Sequence, residues 1–118
     1  MATIEILFII ILILFTHFIA DFIMQTDKMA INKSTSIKWL SYHVWMYAVI
    51  SIAFISISPW YWIFNSLAHW VIDFFTSKWT SYLWKNEKRH DFFCIVGFDQ
   101  LLHTSILIIT LLPFLKGV

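Results

Sequence analysis

Four apolar stretches, each close to the ~20 residues that cross a bilayer as a helix, fill this chain and leave little else. The first is the most extreme: Ile6 to Phe15 contains no polar side chain at all. Pairing of the backbone inside such stretches is possible only within a helix or a closed barrel, and nothing here alternates as a barrel strand does. The expected fold is all-α: an integral-membrane bundle of four transmembrane helices in a single domain, 1-118.

The four helices are expected at about Ile4 to Gln25, Trp39 to Ser58, Trp60 to Trp79 and Phe92 to Phe114. Pro59 makes the second and third an antiparallel hairpin. The third is expected to run on toward Trp84 at the interface. The first connection, Thr26 to Lys38, and the last, Lys85 to Asp91, read as polar loops. Composition agrees, since 60% of residues are hydrophobic and only 13% charged, against about 25% charged in soluble domains. A lone cysteine, Cys94, excludes an internal disulfide and a multi-cysteine metal site. The N-terminal apolar run has no basic residue before it and no small-residue cleavage pattern after it, so a retained helix is expected, not a removed signal.

Basic residues set the orientation. Lys28, Lys33 and Lys38 fall in the first connection, and Lys78, Lys85, Lys88 and Arg89 around the last, leaving Lys116 alone on the other side. Positive charge stays on the cytoplasmic face, so both loops are expected inside the cell and both termini outside. Trp39, Trp79, Tyr82 and Trp84 mark one membrane edge; Trp60, Tyr61 and Trp62 mark the other. The expected location is the bacterial inner membrane, with the bilayer as first partner. The charge distribution gives no reason to expect nucleic acid.

Inside the apolar runs sit groups that are costly there, by a few kcal/mol each at mid-helix. His17 and Asp21, His69 and Asp73, and Asp99 and His103 are three pairs, and each is spaced four apart, on one helical face. The order reverses in the last helix, which runs the opposite way. Each aspartate therefore sits roughly 6 to 10 Å below the cytoplasmic edge and each histidine roughly 12 to 16 Å, with His43 at roughly 6 Å. Four helices thus aim imidazole and carboxylate at one layer, as bundles do when they build metal sites. Nitrogen and oxygen ligands without thiolate suit a divalent transition metal: zinc first, with manganese or iron as alternatives. His17, Asp21, His43, His69, Asp73, Asp99 and His103 are more than one tetrahedral ion needs. Either one ion uses some and the rest orient them, or two ions share the carboxylates. The same groups could instead form a proton relay, or polar glue between helices. The His-x3-Asp pair recurs on the first helix of each half, which suggests tandem hairpins.

The strings HFIADFIMQ, HWVIDFFTSK and DQLLH, with His43 between the first two, resemble a family of small bacterial and phage membrane proteins, the domain of unknown function 3307. Its pattern of H-x3-D-F-x2-Q, a lysine and a histidine, H-x3-D-x4-K and D-Q-x2-H falls on His17, Asp21, Phe22, Gln25, Lys33, His43, His69, Asp73, Lys78, Asp99, Gln100 and His103. The family is in turn distantly similar to bacterial membrane-bound proteins classed as metal-dependent hydrolases. The resemblance implies a metal-dependent hydrolase, and a site at this depth below a basic rim suits, from the cytoplasmic side, a phosphate- or ester-containing amphiphile with a polar head, such as a phospholipid or lipid-linked phosphate. Asp21 or Asp73 would be the catalytic base. Lys33 and Lys78 at the rim would hold an anionic group, or would simply snorkel to headgroups. Gln25 and Gln100 would support ligands or substrate. No G-x-S-x-G, Walker or zincin motif points to other chemistry. Rival expectations are a subunit of a metal-ion or proton channel or transporter, which would have to oligomerise, and a phage-type structural or regulatory protein bound to a host membrane protein.

Overall fold

The computed structural model describes residues 2–55 and 57–116, and every regular element among them is helical. α1, Thr3–Phe18, opens with the Glu5 carboxylate accepting from the Ala2 N–H at 3.0 Å, a negative group where the helix presents its free N–H donors. It continues without a break into one π-helical turn, Ile19–Ile23, closed by Met24 N–H donating to the Ile19 carbonyl at 2.9 Å. The first connection is not wholly loop, as expected, but holds a short helix α2, Asp27–Asn32. Thr26 caps α2 by accepting from Met29 N–H, and Met29 is buried beneath it. That cap and one apolar anchor suffice for a helix this short.

α3, Ile37–Phe54, is capped by Ser36, which accepts from Trp39 N–H. It ends four residues before the expected Ser58. Ile55 is extended there, and its carbonyl accepts from the Trp62 indole at 2.8 Å, which closes the hairpin. Pro59 begins α4, Pro59–Lys85, where its missing N–H costs nothing. α4 is continuous through Trp84, so the interfacial tail belongs to the helix. α5 is Arg89–Leu115. The α4–α5 turn is a Schellman closure: Lys88 N–H reaches the Leu83 carbonyl at 3.0 Å and Glu87 N–H the Trp84 carbonyl at 3.1 Å. Glu87 takes the left-handed conformation this closure demands, with φ of 58°, a position that favours glycine.

α3 and α5 each pack against both α1 and α4, so the four long helices form a ring with α1 across from α4. At one end the interior is dry: Ile13, Tyr61, Trp62, Leu107 and Leu111 make an apolar cluster. There the Tyr61 hydroxyl donates to the Leu107 carbonyl at 2.7 Å and the Asn65 amide to Thr110 Oγ1 at 2.9 Å, tying α4 to α5. Toward the other end the interior becomes polar, while Phe8, Ile11, Phe15, Leu67, Phe75 and Leu101 face outward.

Two stretches, Thr3–Ile23 and Arg89–Leu115, are long and apolar enough to cross a membrane. α3 and α4 fall short of that mark. The inward face of α4 carries Asn65, Ser66, His69, Asp73, Thr76 and Ser77, all buried, and these lower its mean hydropathy whatever its outer face meets.

Candidate metal centre

The spacing of four does locally what periodicity requires. Each pair leaves one helical face, and the ring points those faces at one another. α1 and its π turn supply His17 and Asp21, α3 supplies His43, α4 supplies His69 and Asp73, and α5 supplies Asp99 and His103. All but Asp99 are at least 96% buried.

Four ligand atoms from three helices face one point. His43 Nε2 lies 3.1 Å from Asp21 Oδ1, 3.1 Å from His69 Nε2 and 3.4 Å from Asp73 Oδ2. His69 Nε2 lies 3.3 Å from each of the same two carboxylate oxygens. A tetrahedron drawn at metal–ligand distances of 2.0–2.1 Å has edges of about 3.3 to 3.4 Å. Five of its six edges are therefore on hand, all between 3.1 and 3.4 Å. The sixth, between the carboxylates, lies within the 4.8 Å that bounds the whole set.

A second set shares one member with the first. His103 Nε2 sits 3.1 Å from Asp73 Oδ1 and 3.4 Å from Asp99 Oδ1, and Asp73, Asp99 and His103 together form a three-ligand group. Asp73 thus turns Oδ2 to the first set and Oδ1 to the second, as a bridging carboxylate would.

His17 joins neither set. The Gln100 amide donates to Asp21 Oδ2 at 3.2 Å and Asp99 Oδ2 at 3.1 Å, so its Oε1 faces His17 Nε2 at 3.1 Å. His17 Nε2 must then carry the proton, and His17 Nδ1 accepts from the Tyr47 hydroxyl at 2.9 Å. The chain Tyr47–His17–Gln100 therefore orients two of the carboxylates. Tyr47, which the sequence reading missed, is four residues beyond His43 on α3, the same spacing that exposed the His–Asp pairs. Thr76 was also missed; it donates to Asp99 Oδ1 across the α4–α5 contact. His69 is stacked between the rings of Tyr47 and His103, at 4.4 and 4.1 Å between centroids. Its Nδ1 has no partner among the described residues.

The two lysines expected at the rim part company. Lys33, just past α2, reaches in to Asp73 Oδ2 at 3.0 Å. Burial alone would push its ammonium toward the neutral form, but Asp73 and then Asp21 override that and hold its pKa above the ordinary lysine value of 10.5. Lys78 stays outside, over the Phe74 ring, and donates to the Ser34 carbonyl at 3.1 Å. Gln25 lines the cavity above the cluster, with its Oε1 buried and unpartnered among the described residues.

That cavity, of 230 Å³, is lined by Asp21, Asp73, Asp99 and Gln100, and by none of the four histidines. Carboxylates thus lie at the mouth and imidazoles behind, the order expected from the reversed pair on the last helix. Charge makes the arrangement costly as it stands. Three aspartates against the Lys33 ammonium leave two negative charges uncompensated in a nearly dry interior unless imidazoles protonate or a cation binds.

Fold and site together define the class: an all-helical bundle, apolar outside, whose interior is a His/Asp cluster able to hold a metal ion. The chain belongs to the family described as Protein of unknown function (DUF3307), which matches residues 8–116. No curated protein and no solved structure matches it.

Proposed function

We propose that this protein is a four-pass protein of the bacterial inner membrane that holds one or two divalent transition-metal ions, zinc first, and hydrolyses a phosphate or ester bond in an amphiphile reached from the cytoplasmic side. The observation that carries the reading is the pair of ligand sets joined through Asp73, one of them with tetrahedral edge lengths. Ion pairs or polar glue alone have no need of two imidazole nitrogens each within 3.4 Å of the other and of the same two carboxylate oxygens. Membrane placement is supported by the distribution of side chains, with ionisable groups buried and large apolar ones exposed around the bundle. Water would reverse that pattern.

A bound divalent ion supplies Lewis acidity and lowers the pKa of water to about 7. The chain's own groups do the rest. Of the two aspartates expected as base, Asp73 has both oxygens engaged, by His43, His69 and Lys33 at Oδ2 and by His103 at Oδ1. Asp21 Oδ2 meets only the Gln100 amide at 3.2 Å and His17 at 3.6 Å. Asp21 is thus the freer proton acceptor, and it borders the cavity. The Tyr47–His17–Gln100 chain keeps that oxygen aimed.

The test is phosphate release from phospholipid and lipid-linked phosphate by the detergent-purified protein, run with chelator and after zinc or manganese is restored. Metal-dependent release that disappears in His69→Ala supports the reading. Protein that takes up neither metal, with unchanged ion flux or host-partner binding in His69→Ala, overturns it.

A further inference from the structure

Above the carboxylates, two cavities adjoin. The inner one, of 230 Å³, and an outer one, of 350 Å³, share Lys33, Ser77, Thr80 and Phe92 in their walls. Together they lead from the cluster past the start of α5 to the space between α2 and the end of α4. Three features of this passage are unspent. Ser77 Oγ is buried without a hydrogen-bond partner among the described residues, on a residue only 7% exposed. Gln25 Oε1 is likewise buried and unpartnered on the opposite wall. Ser34 and Ser81 add hydroxyls in the outer part, beside Thr80, whose own hydroxyl donates to the Ser77 carbonyl at 3.1 Å.

These groups specify a ligand. A buried hydroxyl can donate, whereas a buried amide oxygen can only accept, so Gln25 asks for a donor on whatever enters. Lys33 has spare N–H groups beyond its bond to Asp73, and it is the one ammonium in the inner wall. Anion acceptor, hydroxyl donor and hydroxyl acceptor are found together in a phosphate ester of a polyol. Phe22, Phe92 and Val96 offer such a molecule an apolar side. Asp21, Asp73 and Asp99 line only the inner cavity, so an anion fits where Lys33 and Ser77 border the outer one, whose wall has no carboxylate among the described residues. We propose that the joined cavities are a binding subsite for a polyol phosphate ester, with the phosphate on Lys33 and Ser77 and a polyol hydroxyl donating to Gln25. This rests on the proposed function for its role as substrate site, but binding itself does not require metal.

The experiment measures binding of sn-glycerol 3-phosphate and of inorganic phosphate to the intact protein in detergent by calorimetry. It uses chelator-treated and zinc-restored samples whose zinc content is determined in parallel. Glycerol 3-phosphate is expected to bind more tightly than phosphate in both. Lys33→Met is expected to weaken both ligands by about tenfold or more, the loss of one charge-assisted contact. Gln25→Leu is expected to weaken glycerol 3-phosphate by about tenfold while sparing inorganic phosphate. Helical content of each variant is checked by circular dichroism. Equal affinity for the two ligands, indifference to either substitution, or no binding in a folded sample overturns the subsite whatever the zinc content. Protein that stays zinc-free after zinc is restored, and still binds, leaves the subsite standing and the metal reading refuted. Displacement by phosphatidylglycerol but not phosphatidylcholine in nanodiscs identifies a lipid headgroup as the source; its absence identifies a free phosphate ester.

Discussion

Asp73→Asn is the substitution that separates two joined metal sites from one. The amide keeps the shape of the carboxylate but removes its charge, and turns one oxygen into an N–H donor. Structural zinc sites bind with about 10–16 kcal/mol from four ligands, so one ligand of the four accounts for about 3 kcal/mol, or roughly a hundredfold in affinity. Because Asp73 gives one oxygen to each set, that loss falls on both. Asp99→Asn removes a ligand from the second set alone, and His43→Ala from the first alone. Wild-type protein equilibrated with zinc and desalted is expected to retain two ions by elemental analysis, with Asp99→Asn and His43→Ala retaining one and Asp73→Asn retaining neither. Competition with a chromophoric chelator gives the affinities on the same samples. Asp73→Asn that retains as much metal as wild type would refute the shared ligand. So would identical losses in all three variants, which would describe one indivisible site.

Tyr47→Phe deletes the hydroxyl that satisfies His17 Nδ1; a fall of about 1–2 kcal/mol in stability is expected by thermal unfolding in detergent, with metal stoichiometry unchanged. Glu87→Gly relieves a left-handed residue in the α4–α5 turn, and should raise stability by about 1 kcal/mol in the same assay. For topology, Asn86→Cys in a Cys94→Ser background should react with a membrane-impermeant maleimide in inverted vesicles and not in intact spheroplasts; the reverse pattern would invert the orientation.

Much of the site was legible because helical period converts a spacing of four directly into a shared face. Spacing alone places His17, Asp21, His69, Asp73, Asp99 and His103 on inward faces of three helices, each histidine one turn from its aspartate. Tyr47 obeys the same rule from His43, and escaped because a mid-helix tyrosine carries no charge to make it conspicuous in an apolar run. Contacts that depend on how a polar segment folds back were beyond reach. Lys33 and Lys78 look equivalent along the chain, yet the short helix α2 delivers one to Asp73 and leaves the other outside. The division of seven ligands into two sets, and the removal of His17 from both, depends on sub-ångström placement that periodicity does not carry. Helix ends were legible to a few residues, and α2 was missed because six residues with one buried methionine make no periodic signal.

The π turn at Ile19–Ile23 holds one residue more than an α-helical turn needs. One residue along a helix corresponds to about 100° of rotation. Asp21 sits at the centre of that turn, its carboxylate bonded by His43 and Gln100. Deleting one residue from Ile19–Ile23 would restore an α-helical turn there, and the cost would be a misalignment of about 100° between Thr3–Phe18 and the Asp21 carboxylate.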